Sequence, residues 1–145
     1  MDRNISKDQK DIFENLINLI PCGVMLINSN HDVEYHNRQF AELIGYGRQR
    51  FTSLNQWMSL AFPGSDYRRQ VRSILLHEIP YEQTEGKRTF HASVATLEGG
   101  EKIIRFTSLP ICRHQFLLTG ENITEEKKRE TQLQHAQKME AIGSM

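Results

Sequence analysis

The chain carries two cysteines and six histidines, the residue types from which thiol nucleophiles and metal sites are built. Their spacing builds neither. Cys22 and Cys112 form no CxxC pair and are too few for a disulfide framework, so both read as reduced thiols packed as small apolar side chains. His31, His36, His77, His91, His114 and His135 are scattered without an HExxH or a Cys/His rhythm, and no metal site is expected. P-loop, GxGxxG and GxSxG patterns are absent, so nothing points to nucleotide chemistry or an activated serine. What remains is binding. Tyr67, Arg68, His91 and Arg105 are polar groups able to line a small-ligand cavity, with Trp57 and Phe106 as its apolar wall. Arg105, between Ile104 and Phe106, would clamp a carboxylate if it faces inward, or snorkel to water if it faces out. Trp57 and Phe62 suit core packing better than ligand stacking.

These residues are positioned by elements the sequence pattern marks out. Residues 6–20 read as a helix, with Ser6 and Gln9 forming a capping box and Pro21 stopping it. Ile12, Phe13, Leu16, Ile17 and Ile20 make its apolar stripe, whose partner is either the chain's own sheet or a second subunit. Residues 22–36 read as a hairpin around the turn SNHD. Asn37 then caps a helix carrying Phe40, Leu43 and Ile44, which Gly45 ends. A short helical segment follows over 52–61, and a longer helix runs from Ser65 or Asp66 to Pro80. From Lys87 the period becomes two. Three strands are expected, turning at Glu98–Glu101 and again from Pro110 to His114. The fold class is therefore α+β, a five-stranded antiparallel sheet with helices on one face. From Glu125 the chain is rich in Glu, Lys, Gln and Ala, with Leu133, Ala136, Met139 and Ile142 as its single sparse stripe. Such a helix needs another helix to pack on, in a coiled-coil register the spacing leaves open.

Lys plus Arg and Asp plus Glu both number 18, so the chain has no net charge to draw in nucleic acid or an anionic membrane. No apolar run approaches the roughly 18 residues a membrane span needs. The polar start MDRNISKDQKD is unlike a secretory signal, and a cytoplasmic location is expected.

Four segments resemble a PAS domain of a bacterial sensor histidine kinase of the hybrid type. Asn37, Phe40, Leu43 and Gly45-Tyr46 match the family's N-x-x-F-x-x-L-x-G-Y pattern. Trp57 followed by AFPGSDYRR resembles a Trp…YPDPEYR segment of one subgroup. ENITEEKKRE resembles the D-I-T-E-x-K junction after the last strand, with Asn122 replacing its Asp, and QHAQKMEAIGSM resembles the lead into a kinase dimerisation helix. The resemblance implies an N-terminal amphipathic helix over 1–20, a PAS sensor domain over 21–124 and a signalling helix over 125–145. It implies a homodimer through the two end helices, kinase domains downstream in the parent chain, and a phosphoacceptor His beyond Met145; His135 is not that residue. Asn122, Ile123 and Thr124 form the signal junction, with Thr124 as the helix N-cap. The flavin-binding N-C-R-F-L motif is absent. His77 occupies the helix that holds the haem ligand in haem-binding relatives, yet nothing around it supports haem, so no cofactor is expected. An unidentified small ligand, a haem sensor and a non-sensing dimerisation scaffold stay open as alternatives.

Overall fold

The computed structural model describes residues 7–46, 50–76 and 87–143. The chain runs α1 (Lys7–Leu19), β1 (Gly23–Asn28), β2 (Val33–His36), α2 (Arg38–Glu42), α3 (Leu54–Ala61), α4 (Ser65–Leu75), β3 (Arg88–Ala95), β4 (Glu101–Cys112), β5 (Gln115–Asn122) and α5 (Thr124–Gly143). The strands form one sheet in the order β2-β1-β5-β4-β3, every pair antiparallel. The hairpin and the meander thus join through β1 and β5, the first and last strands of the fold.

Two-residue periodicity decides which face is core. Ala92 and Val94 on β3, Ile104, Phe106 and Ser108 on β4, and Leu118 on β5 are buried together, while their neighbours along each strand lie on the opposite face. The helical layer closes this face with Phe40, Leu54, Trp57, Met58, Val71 and Leu75. Gly23 and Gly120 face each other across β1 and β5 where α2 crosses. A Cβ on Gly23 would fall 2.8 Å from the Phe40 Cα, so the helix can lie this low only over bare backbone. Gly45 ends the α2 region at φ +82°, a conformation other residues rarely adopt.

Two expected boundaries shift. The turn expected from Pro110 to His114 shrinks to Arg113–His114, and β4 continues through Pro110, paired with Phe116. Beyond Ser108 β4 has lost its described β3 partner, and the ladder with β5 is irregular between Pro110 and Cys112. An edge with a bulge tolerates a residue that has no N–H. Cys112, expected as a buried apolar filler, is exposed at the end of this extension, whereas Cys22 is partly covered and burial raises its thiol pKa. The longer helix is described only to Leu75, so its expected end at Pro80 lies outside the described residues, as does the expected cap Ser6.

The stripe on α1 is covered by the chain itself only in part. Ile17 is buried, and the Phe13 ring meets Tyr35 edge-on with centroids 5.8 Å apart. Ile12, Leu16 and Leu19, spaced four and three residues apart, stay exposed on another side of the helix. Asn37 ties the end of α1 to the sheet, beside the Gln39 side chain, which donates to the Asn18 carbonyl at 2.6 Å. The Asn37 Oδ1 accepts from the Phe40 amide at 3.1 Å, the expected cap, and also from the Val24 amide at 2.9 Å. Its Nδ2 donates to the Ile17 carbonyl at 2.7 Å and to the Cys22 carbonyl at 3.0 Å. One buried amide therefore ties α1, the α1–β1 link, β1 and α2 together.

Asn37→Ala would remove the side-chain partner of the Val24 amide and of the Ile17 and Cys22 carbonyls, and leave the Phe40 amide only its longer bond to the residue 37 carbonyl. It is expected to lower unfolding free energy by about 3 kcal/mol. Urea titration reads the loss, and hydrogen exchange should rise first in α1.

Candidate functional site

Three places in the fold hold the residues singled out from sequence. The first is the interior between helices and sheet. Trp57, Phe62 and Phe106 are all about 1% exposed. The Trp57 ring meets Phe40 at 4.8 Å between centroids and meets Phe62 and Phe106 edge-on at 5.7 Å each. This cluster fills the space between α2, α3 and β4 with aromatic carbon. One polar group stands out within it. The Trp57 indole N–H is buried with no hydrogen-bond partner among the described residues. An unpaired donor in an apolar interior is costly, and an incoming acceptor would satisfy it. Tyr67 sits at the rim. Its ring lies 5.7 Å from Phe62, and its hydroxyl accepts from the Ser93 amide on the edge strand β3 at 2.8 Å.

The second place is the outer face of the sheet. His91 and Arg105 are cross-strand partners there, on the side away from Phe106. Arg105 does not reach the interior. Its guanidinium pairs with Glu121, its register partner on β5, at 3.0 Å and with Glu126 of α5 at 3.5 Å. Of the two orientations open to it, the outward one is realised, so the proposed carboxylate clamp faces the chain's own carboxylates. Arg68 is separate again. It donates to the Phe62 carbonyl at 3.0 Å from the groove between α3 and α4. The six pocket candidates are thus not one site: Trp57, Phe106 and Tyr67 converge, while Arg68, His91 and Arg105 do not. His77 lies outside the described residues. Among the described residues no group of three His, Cys, Asp or Glu side chains is placed to hold a metal ion.

The third place is the junction, and here the expected cap is corrected. The Thr124 hydroxyl does not cap α5. It accepts from the Ile103 amide of β4 at 2.9 Å and donates to Asn122 Oδ1 at 2.6 Å. Asn122 does the capping instead, its Oδ1 accepting from the Thr124 amide at 3.0 Å. The Ile123 amide donates to the Ile103 carbonyl at 2.9 Å, so both polar groups of Ile103 are bonded to the junction. Ile123 is buried, and its carbonyl takes the first helical bond, from Lys127. Sequence identified these residues but had no means of finding Ile103, whose role is carried by its backbone. A cleft of about 170 Å³ opens beside Asn122, lined by Pro21, Gly23, Gln39, Glu42 and Lys102 among others.

A family model described as "PAS domain" matches residues 11–83, half of the chain. The chain belongs to the PAS domain family. Solved structures of widely different proteins share its fold. A sensory box histidine kinase/response regulator from Burkholderia thailandensis aligns at 14% identity and TM-score 0.62, covering 88% of this chain and 95% of that one. A PAS domain in complex with ethanol, from a LuxR-family transcriptional regulator of the same species, aligns at 17% identity and TM-score 0.57, covering 77% and 96%. An RNA-binding light-oxygen-voltage receptor aligns at 16% identity and TM-score 0.66, covering 95% of this chain and 40% of that one. At these identities the likeness is one of fold. No curated protein matches the sequence. Asn37 caps α2, Phe40 is buried and Gly45 turns the chain. No helix among the described residues is long and apolar enough to cross a membrane.

Arg105→Gln removes two solvent-facing ion pairs and no interior contact. It is expected to cost less than about 1 kcal/mol, and less still in high salt. Emission from the single tryptophan, Trp57, should stay unchanged; a shifted spectrum would place Arg105 in the interior site after all.

Proposed function

We propose that this PAS domain is the sensory and dimerising module of a two-component histidine kinase, acting in the cytoplasm and passing its state through α5 to kinase domains in the parent chain. The observation that carries the reading is the double hydrogen bond between Ile103 and the junction. A change in sheet twist or strand spacing at β4 moves Ile123 and Thr124 with it, and the helix start follows. Arg105 adds a second link, spanning from the sheet to Glu126 in the first turns of α5. Such a relay needs two states of the sheet that a signal binds unequally. The unpaired Trp57 indole N–H supports an interior ligand with a hydrogen-bond acceptor. The packing of Trp57 against Phe40, Phe62 and Phe106 supports the second reading, a scaffold that sets dimer geometry and senses nothing. Native mass spectrometry separates the two readings, because only a sensor releases a bound small molecule of defined mass.

The proposed dimer is supported by what α1 and α5 leave uncovered. Ile12, Leu16 and Leu19 on α1, and Leu133, Met139 and Ile142 on α5, are all more than half exposed. Two copies paired by a twofold axis bury both stripes at once. The chain is expected to sediment as a dimer at micromolar concentration, and the double variant Ile12→Glu/Leu16→Glu as a monomer, because charges enter the seam. A monomeric wild type, or a dimeric variant, rejects the helical seam.

Thr124→Val keeps the side-chain shape and removes the hydroxyl. The expected cost is about 1 kcal/mol, felt at the junction. Amide exchange should quicken at Ile103 and over about residues 124–130, with the rest of β4 still protected. Unchanged exchange at Ile103 would remove the relay's first contact. In the parent protein the same change should weaken coupling of signal to output while leaving ligand affinity as it was.

A further inference from the structure

The groove between α3 and α4 has a volume of about 330 Å³ and is lined by Arg68, Arg69 and Arg72 together with Asn55, Met58 and Ser65. Three cations and no carboxylate line it. The chain as a whole is neutral. Four cations elsewhere stand beside carboxylates: Arg38 with Glu42, Arg105 with Glu121 and Glu126, Lys127 with Glu130, Lys128 with Glu125. None of the three groove arginines has a carboxylate partner among the described residues. Asp66, in the first turn of α4, is the nearest acid in sequence and does not line the groove.

Two of the guanidiniums are nevertheless fixed in place. Arg68 donates to the Phe62 carbonyl, and Arg72 Nη1 donates to Asn55 Oδ1 on α3. Each bond uses one of five donors and a neutral acceptor. The heads are therefore held against the α3 side, and among the described residues no carboxylate cancels their charge. Positions 68 and 72 lie one helical turn apart on one ridge of α4, and position 69 is rotated by about 100° toward its flank. Three planar forks arranged this way match an oxyanion with several acceptor oxygens and more than one negative charge. The Ser65 hydroxyl at the start of α4 adds a further donor to the same groove.

We propose that the α3–α4 groove binds a phosphate-type dianion through Arg68, Arg69 and Arg72, at a site separate from the aromatic interior and from the exit junction. Occupation would reach the core directly, since Met58 lines the groove and is itself part of the buried cluster.

The test is a titration of the ¹⁵N-labelled full chain with inorganic phosphate at pH 7.5, against sodium chloride and sodium acetate at matched ionic strength. Phosphate is expected to give saturable shifts in amides of residues 55–59 and 65–72 and in the arginine Nε–H signals. Acetate should bind more weakly, and chloride should give only small linear drifts. Arg72→Gln should weaken phosphate binding by about tenfold or more, the loss expected when one charged fork is removed. Arg69→Gln, whose side chain makes no described structural bond, should weaken it too while leaving the spectrum of the free protein in place, so the outcome does not depend on a variant that folds poorly. Non-saturable shifts, equal response to acetate, or unchanged affinity in Arg69→Gln would overturn the assignment.

Discussion

The fold depends on one side chain making every hydrogen bond it can. Asn37 offers two acceptor directions to the amides of Val24 and Phe40, and two donor hydrogens to the carbonyls of Ile17 and Cys22. An aspartate would keep the acceptors and set a charge against two carbonyls. A serine or threonine would be too short and too poor in donors to serve all four. The interaction is buried, so each lost partner counts at nearly its full desolvation cost. Placing α1 is thus inseparable from starting α2, and starting α2 is inseparable from the position of β1.

From that node the order of packing follows. With β1 placed, Gly23 and Gly120 let α2 settle low over the β1–β5 pair, which brings Phe40 onto Trp57. Trp57 in turn sets where Phe62 and Phe106 can lie. The exit junction is built differently, from backbone groups of β4 and two small polar side chains on the solvent side. The interior is closely packed and resists small displacements, whereas the junction rests on a few exposed or half-exposed hydrogen bonds. A domain arranged this way is stiff where a signal would originate and compliant where it would leave.

Much of this was legible in the sequence. The alternation from Phe90 through Ser108 separated the two faces of the meander, and burial of Ala92, Val94, Ile104, Phe106 and Ser108 shows which of them is core. The cap at Asn37 was legible because capping is local, three residues from donor to acceptor. Contacts distant in sequence were not. The donors of Asn37 go to carbonyls 15 and 20 residues away, and carbonyls carry no sequence signal. Thr124 looked like a cap because its hydroxyl stood at a helix start; its partner turned out to be the Ile103 amide, 21 residues earlier. Arg105 was undecided because alternation alone does not say which face of a strand is wet, and only the register with Glu121 decides it. Pro110 was read as a turn because its place on the edge of the sheet depends on where β3 stops.

The Gly23–Gly120 register has a mechanical consequence. Because β1 and β5 are antiparallel neighbours with Gly23 opposite Gly120, the chain enters and leaves the sheet at the same end. Tension applied between α1 and α5 therefore does not load the β1–β5 ladder in shear, where all of its bonds would resist together. It peels the two strands apart from the glycine end, breaking the rungs in succession. A domain whose interior is an aromatic cluster is thus a weak link under load along its own chain. Torsion or separation of the flanking helices will be felt first at the β1–β5 seam, directly beneath Phe40 and α2.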